Sequence, residues 1–139
     1  MRIALSIPMA LAGVICAADA PPSTILRGKL LVREGKPAVL ETADHKKVKL
    51  AGDASTAKAP TDQRMNGFEV EAKGHFTAPG QFLIDPIHTH AMMAHKDGHL
   101  KLVTYWCDAC SLRSYTPGPC VCCQKETTLD LIDPAEPDK

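Results

Sequence analysis

Five cysteines near the C-terminal end hold most of the chain's chemical potential: Cys107, Cys110, Cys120, Cys122 and Cys123. Cys107-Asp108-Ala109-Cys110 and Cys120-Val121-Cys122-Cys123 are two Cys-x-x-Cys pairs with nine residues between them, and Cys122 sits inside the second. Each such turn sets two sulfurs about one metal-ligand span apart, and two turns brought face to face make a tetrahedral four-sulfur site. Thr116-Pro117-Gly118-Pro119 supplies the reversal that would bring them together. The predicted ligands are therefore Cys107, Cys110, Cys120 and Cys123, with zinc as the ion and copper as the alternative. Disulfide pairing remains open, although five thiols cannot all pair within one chain and closely spaced bridges are strained or reducible. Redox catalysis also remains open through Trp106-Cys107-Asp108-Ala109-Cys110, but no helix-forming segment follows Cys110 to lower a thiol pKa. Haem attachment by Cys-x-x-Cys-His is excluded, because Ser111 follows Cys110 and Gln124 follows Cys123.

Upstream, His88, His90, Met92, Met93, His95 and His99 gather imidazole and thioether groups within twelve residues. This donor set suits a soft or borderline ion such as copper or zinc. His88, His90, Met92, His95 and His99, together with Cys122, are thus candidate additional ligands. The competing reading places Met92 or Met93 in the core and the histidines on the surface, since strand alternation puts His88 and His90 on one face and His95 on the other. Asp97-Gly98 between strand-like runs is a strong hairpin signal. A two-residue loop there would pair Lys96 with His99 and, continued, His90 with Tyr105 and His88 with Cys107. No Ser-His-Asp, paired-carboxylate or phosphate-loop arrangement stands out, so no catalytic residues are assigned and the chain is not expected to be an enzyme.

The elements that must position these groups read as short strands separated by turns. The runs are 25–33, 38–42, 47–51, 68–73, 81–85, 100–106 and 127–132, and Pro60 limits the Ala-rich stretch 54–64 to a short helix or an irregular connection. Phe68, Val70 and Ala72 alternate with Glu69, Glu71 and Lys73, the clearest half-buried strand. Three strands, a connection and two more strands is the order of a five-stranded Greek-key barrel. Leu30-Leu31-Val32, Leu40, Lys49-Leu50-Ala51-Gly52-Asp53 and Met65-Asn66-Gly67-Phe68-Glu69-Val70-Glu71-Ala72-Lys73-Gly74 resemble small secreted bacterial OB-fold-like proteins across residues 24–87. With Leu100 to Trp106 leading into the first knuckle and Glu126 to Leu131 leaving the second, the tail resembles a minimal zinc ribbon, and the segment from Tyr105 to Glu126 resembles the cysteine-rich tail of secreted bacterial proteins. The expected fold is mainly all-β: an OB-like five-stranded barrel, then a β-hairpin and a Cys-rich metal knuckle.

Met1-Arg2, the apolar run Ile3 to Cys16 and the small residues Ala17-Ala18-Asp19-Ala20 read as a secretory signal peptide. The run is shorter than the ~20 residues of a spanning helix. Ile15 before Cys16 argues against lipidation, which needs a small residue there. The predicted organisation is a signal peptide at 1–20, barrel at 21–87, hairpin and Cys-x-x-Cys tail at 88–132 and a Pro-rich acidic end at 133–139 without fixed structure. Localisation is expected to be secreted or periplasmic, where thiols tend to oxidise, with no stable membrane insertion after signal removal.

The chain of 139 residues carries 16 basic and 16 acidic side chains, a formal net charge of zero. That removes the basic field on which non-specific nucleic-acid binding depends. The barrel segment offers Phe68, Phe76 and Phe82 as its only aromatics, too few for a stacking platform in a basic groove, so no nucleic-acid partner is expected. The expected function is a small secreted metal-binding module, with structural zinc and an unidentified protein or small ligand as partner. The alternative is a periplasmic thiol redox or copper-handling protein that uses the Cys-x-x-Cys pairs with the His/Met segment.

Overall fold

The computed structural model describes residues 20–135. The expected signal segment with Cys16, and most of the acidic end, lie outside the described residues. Nine strands are present among them: β1 (Thr24–Leu31), β2 (Val39–Glu41), β3 (Lys47–Ala51), β4 (Glu69–Ala78), β5 (Gln81–Ile84), β6 (Met92–Lys96), β7 (His99–Cys107), β8 (Leu112–Ser114) and β9 (Thr128–Ile132). Single 3-10 turns lie at Thr56–Lys58, Gln63–Met65 and Ile87–Thr89. The Ala-rich connection before β4 is thus two short turns on either side of Pro60, whose missing N–H and fixed φ stop a longer helix.

The first five strands close on themselves. β1 pairs antiparallel with β2 and β2 with β3, β3 runs parallel to β5, β5 pairs antiparallel with β4, and β4 returns to β1. Closure leaves no free edge inside this five-stranded barrel. Strand alternation fills it: in Lys47-Val48-Lys49-Leu50-Ala51 the second and fourth residues are buried and the others exposed. Leu30, Leu40, Val70, Ala72 and Phe82 have no exposed surface, and each large apolar side chain so buried contributes about 1.5–3 kcal/mol before entropy is counted. Thr56 is also fully buried, and its hydroxyl accepts the Ile87 N–H at 2.9 Å, tying the β3–β4 connection to the loop after β5.

β4 is where the tail joins the barrel. One of its edges runs along β1 from Thr24↔Gly74 to Lys29↔Glu69. The other is shared, with Val70, Glu71 and Ala72 opposite β6 and Gly74 onward opposite β5. The switch falls at Lys73, whose N–H donates to the Ala91 carbonyl at 2.8 Å while its carbonyl accepts the Asp85 N–H at 2.9 Å. Gly74 follows directly, and a Cβ there would stand 2.0 Å from the Leu83 carbonyl oxygen.

The β6–β7 hairpin has the expected turn. Lys96↔His99, His95↔Leu100, Ala94↔Lys101 and Met93↔Leu102 are paired, with Asp97 at φ 52° and Gly98 at φ 75°. Replacing Gly98 with Val should cost on the order of 1–3 kcal/mol, because a β-branched side chain resists that left-handed conformation. Thermal unfolding of the variant checks this, and an unchanged midpoint would contradict it.

The expected continuation of this pairing to His90–Tyr105 and His88–Cys107 does not occur. Before Met92 the chain leaves the sheet through the Ile87–Thr89 turn and a left-handed His90 at φ 59°. The far half of β7 takes other partners: Leu102 to Trp106 pair with β9, and Tyr105 to Cys107 pair with β8. Because Leu102 faces both Met93 and Ile132, and Tyr105 both Ser114 and Leu129, β6 and β8 share one edge of β7 in succession and β9 holds the other.

Candidate metal centre

The end of β7 delivers Cys107, and a tight turn delivers Cys110 before β8 begins at Leu112. The second Cys-x-x-Cys lies in a loop closed by a Pro119↔Glu126 bridge, a Cys120 N–H to Lys125 carbonyl bond of 2.8 Å and a Gln124 N–H to Cys120 carbonyl bond of 2.9 Å. The Thr127 hydroxyl donates to the Gly118 carbonyl at 2.8 Å, fastening the base of that loop. The sulfurs of Cys107, Cys110, Cys120 and Cys123 all lie within 4.8 Å of one another, with Cys107 and Cys123 3.5 Å apart. Ligands bonded at about 2.3 Å around a tetrahedral zinc stand about 3.8 Å from one another, so the cluster has the dimensions of a four-thiolate site. Cys107 and Cys120 are buried, Cys110 and Cys123 half-buried, and Cys122 is exposed.

Both knuckles end in the same way. Ser111, directly after Cys110, has φ 51°, and Gln124, directly after Cys123, has φ 62°. A left-handed backbone at a non-glycine residue costs on the order of 1–3 kcal/mol and persists only where its surroundings over-determine it. Sequence reasoning missed these two positions, because neither Ser nor Gln signals such a turn; a glycine in either place would have.

The loop also conditions the sulfurs. The backbone N–H groups of Cys123 and Cys122, the latter donating to the Cys120 Sγ at 3.4 Å, bring the Cys120 thiol down to about 7. A thiol at that value is about half ionised at neutral pH, far more than an ordinary cysteine, and so better prepared to bind a cation. The Cys110 thiol is pushed the other way, first by the side chain of Cys122, then by Cys123 and by burial.

Two arginines hold the knuckles to the fold. The Arg113 guanidinium donates to the Thr104 hydroxyl and to Asp130 Oδ2, both at 2.7 Å, and its centre lies 4.9 Å from the Trp106 ring, so one side chain links β7, β8 and β9. Arg64, ion-paired with Asp62 at 2.8 Å, donates to the Thr127 carbonyl at 2.8 Å and stands over the buried Tyr105 ring. It thereby fixes the cysteine loop to the barrel's β3–β4 connection. Neither arginine was singled out in the sequence, since an isolated arginine carries no spacing signal.

The His/Met segment is dispersed. Met92 is buried in the core, where its thioether packs against apolar neighbours. His88 and His99 are exposed on separate elements. His90 Nε2 lies 3.2 Å from the Tyr115 hydroxyl, and His95 Nε2 lies 3.0 Å from Glu71 Oε2 across the β4–β6 pairing. Among the described residues, the four cysteines are the group close enough together to hold a metal ion, and none of these histidines belongs to it.

Fold and site together define a small closed β-barrel extended by strands that carry a four-cysteine cluster able to hold a metal. Comparison with known proteins finds no matching family model, curated protein or solved structure. No helix among the described residues is long and apolar enough to cross a membrane.

Proposed function

We propose that Cys107, Cys110, Cys120 and Cys123 bind one zinc ion as a structural centre in a small secreted binding module. The observation that carries this reading is the convergence of four sulfurs within 4.8 Å on two knuckles of matching backbone form. Four thiolates at that separation repel one another unless a cation neutralises them. The segment from Leu112 to Thr127 buries few apolar side chains of its own, and a metal would supply the missing constraint. A closed four-sulfur site has no open coordination position, so binding rather than catalysis is the activity it serves.

The barrel is the part that would meet a partner. Its strand order, with β3 parallel to β5 between two antiparallel pairs, supports an OB-like assignment. Phe82 is fully buried and Phe68 half-buried, leaving Phe76 as the exposed ring, which favours a protein or small ligand over single-stranded nucleic acid. The signal-like N-terminus supports a secreted or periplasmic location.

Elemental analysis with thiol counting tests the centre. One zinc per chain is expected, with four thiols shielded from alkylation until a chelator is added and Cys122 reactive throughout. Because zinc must displace the protons of its thiol ligands, its apparent affinity should fall steadily as pH is lowered, with Cys120, whose thiol the loop brings down to about 7, the ligand that gives up its proton most readily. A metal-free protein with two disulfides would overturn the reading, and bound copper would move it to copper handling.

A further inference from the structure

A cavity of about 350 Å3 lies between β8 and the second knuckle, and Cys107 and Cys120, the two buried members of the cluster, form part of its wall. That volume falls at the low end of the range of small-molecule sites, about 300–1,000 Å3. Leu112 and Val121 supply apolar walls. The charged part of the lining is cationic: Lys58 and Arg113 border the cavity and, among the described residues, no carboxylate does. Arg113 is committed to Thr104 and Asp130. The Lys58 ammonium, by contrast, takes part in no ion pair or hydrogen bond among the described residues. Lys58, Pro117 and Gly118 also border a wider outer cleft of about 570 Å3, so Lys58 stands where the two spaces meet. The acidic groups Asp62 and Glu126 belong to the outer cleft and not to the cavity, and Asp62 is paired with Arg64 at 2.8 Å.

We propose that this cavity binds a small anionic zinc chelator of the polycarboxylate class, and that the centre is loaded and unloaded through it. The inference rests on the zinc reading above. Lys58 draws an anion to the entrance by its charge. A carboxylate is charged at neutral pH, whereas an ordinary thiol is mostly protonated there and gains little from the ammonium. Zinc accepts oxygen as well as sulfur ligands, so a carboxylate that enters beside Cys107 and Cys120 can replace them in turn. At each replacement one zinc–sulfur bond breaks as one zinc–oxygen bond forms, and the freed thiolate takes a proton from water. Loading runs the same exchange in reverse, and no electron is transferred in either direction. A centre closed at four sulfurs is thereby exchangeable without unfolding of the chain.

Isotope exchange tests this on the zinc-loaded full chain with its thiols kept reduced. The protein carries one stable zinc isotope, the zinc complex of the tricarboxylate nitrilotriacetate carries another, and native mass spectrometry follows the exchange. Phenanthroline, a neutral chelator of similar size whose zinc complex is cationic, is the control. Exchange from the nitrilotriacetate complex should rise with its concentration to a plateau. Lys58→Glu, altered at an exposed side chain, should slow that exchange about fivefold, since a reversed charge at the entrance repels an anion. Lys58→Arg should keep the wild-type rate, and neither variant should slow exchange from the phenanthroline complex. Leu112→Trp, at a side chain 42% exposed, should slow both complexes about tenfold or more, because the indole takes space that either ligand needs. Equal nitrilotriacetate rates in wild type, Lys58→Glu and Leu112→Trp would overturn the proposal. So would Lys58→Glu slowing both complexes alike, or exchange that does not respond to nitrilotriacetate concentration. Those results leave zinc binding itself intact, whereas a chain that takes up no zinc at the outset defeats the metal reading and the cavity's role with it.

Discussion

Cys107→Ser should sharply weaken zinc binding and loosen the chain from β8 to the loop after Cys123. Cys107 is 2% exposed and belongs at once to β7 and to the cluster, so a serine there withdraws a ligand from the interior of the site. Losing a partner that merely orients a ligand weakens metal sites 10–100-fold. Losing a ligand should therefore weaken this one by more than ~100-fold, on the order of 3 kcal/mol or above. The single tryptophan, Trp106, is the residue before Cys107 and stacks against Arg113, so its fluorescence should report the loosening. The barrel core from Leu30 to Ile84 makes none of these contacts through Cys107 and should keep its far-UV signal. A Cys107→Ser protein that holds zinc against a competing chelator as tightly as wild type would show that Cys107 is not a ligand.

Gly74→Val should be the most damaging single change in the barrel. The position sits where β4 passes from β6 to β5, and a Cβ would fall 2.0 Å from the Leu83 carbonyl and 2.9 Å from the Ile84 Cα. These are backbone atoms of the paired strand, which cannot swing aside as a side chain can. Relief requires β4 and β5 to separate, breaking the closure and the packing of Phe82 and Ile84 beneath it. The expected loss is about 3 kcal/mol or more, a substantial share of the stability of a domain this size. Chemical denaturation measures it, and a midpoint within error of wild type would mean that the strands do not approach so closely.

Much of this was legible in local pattern. Val48 and Leu50 alternate with lysines and an alanine, so β3 could be bounded from its residues alone. Phe68, Val70 and Ala72 marked the buried face of β4, and Asp97-Gly98 located the hairpin, because two-residue turns demand special backbone angles. The cysteine spacing likewise pointed to the four residues that converge. Long-range competition was not legible. His88-Thr89-His90 reads as strand continuation, and no residue after Pro86 announces a left-handed turn at His90. The pairing that His90 would have made with Tyr105 is instead contested by β8 and β9, and Leu112-Arg113-Ser114 is too short to declare itself a strand. Strand β4 was expected to end at Lys73 because Gly74 looked like a terminator. It continues to Ala78 because the close approach of β5 requires a residue without a side chain.

The closing strand pair of the barrel joins Thr24 to Gly74, whereas all four sulfurs of the cluster fall between residues 107 and 123. Bringing distant segments together carries a loop-closure cost that a short span largely escapes. On the proposed zinc reading, the ion could therefore find its ligands in a chain whose barrel is not yet closed. By mass action, a ligand that also binds the denatured ensemble stabilises the native state less than its affinity alone would give. Zinc should consequently raise the melting temperature of the barrel only modestly, even where it is held tightly by the loops, and the two parts should respond separately to chelation and to heat.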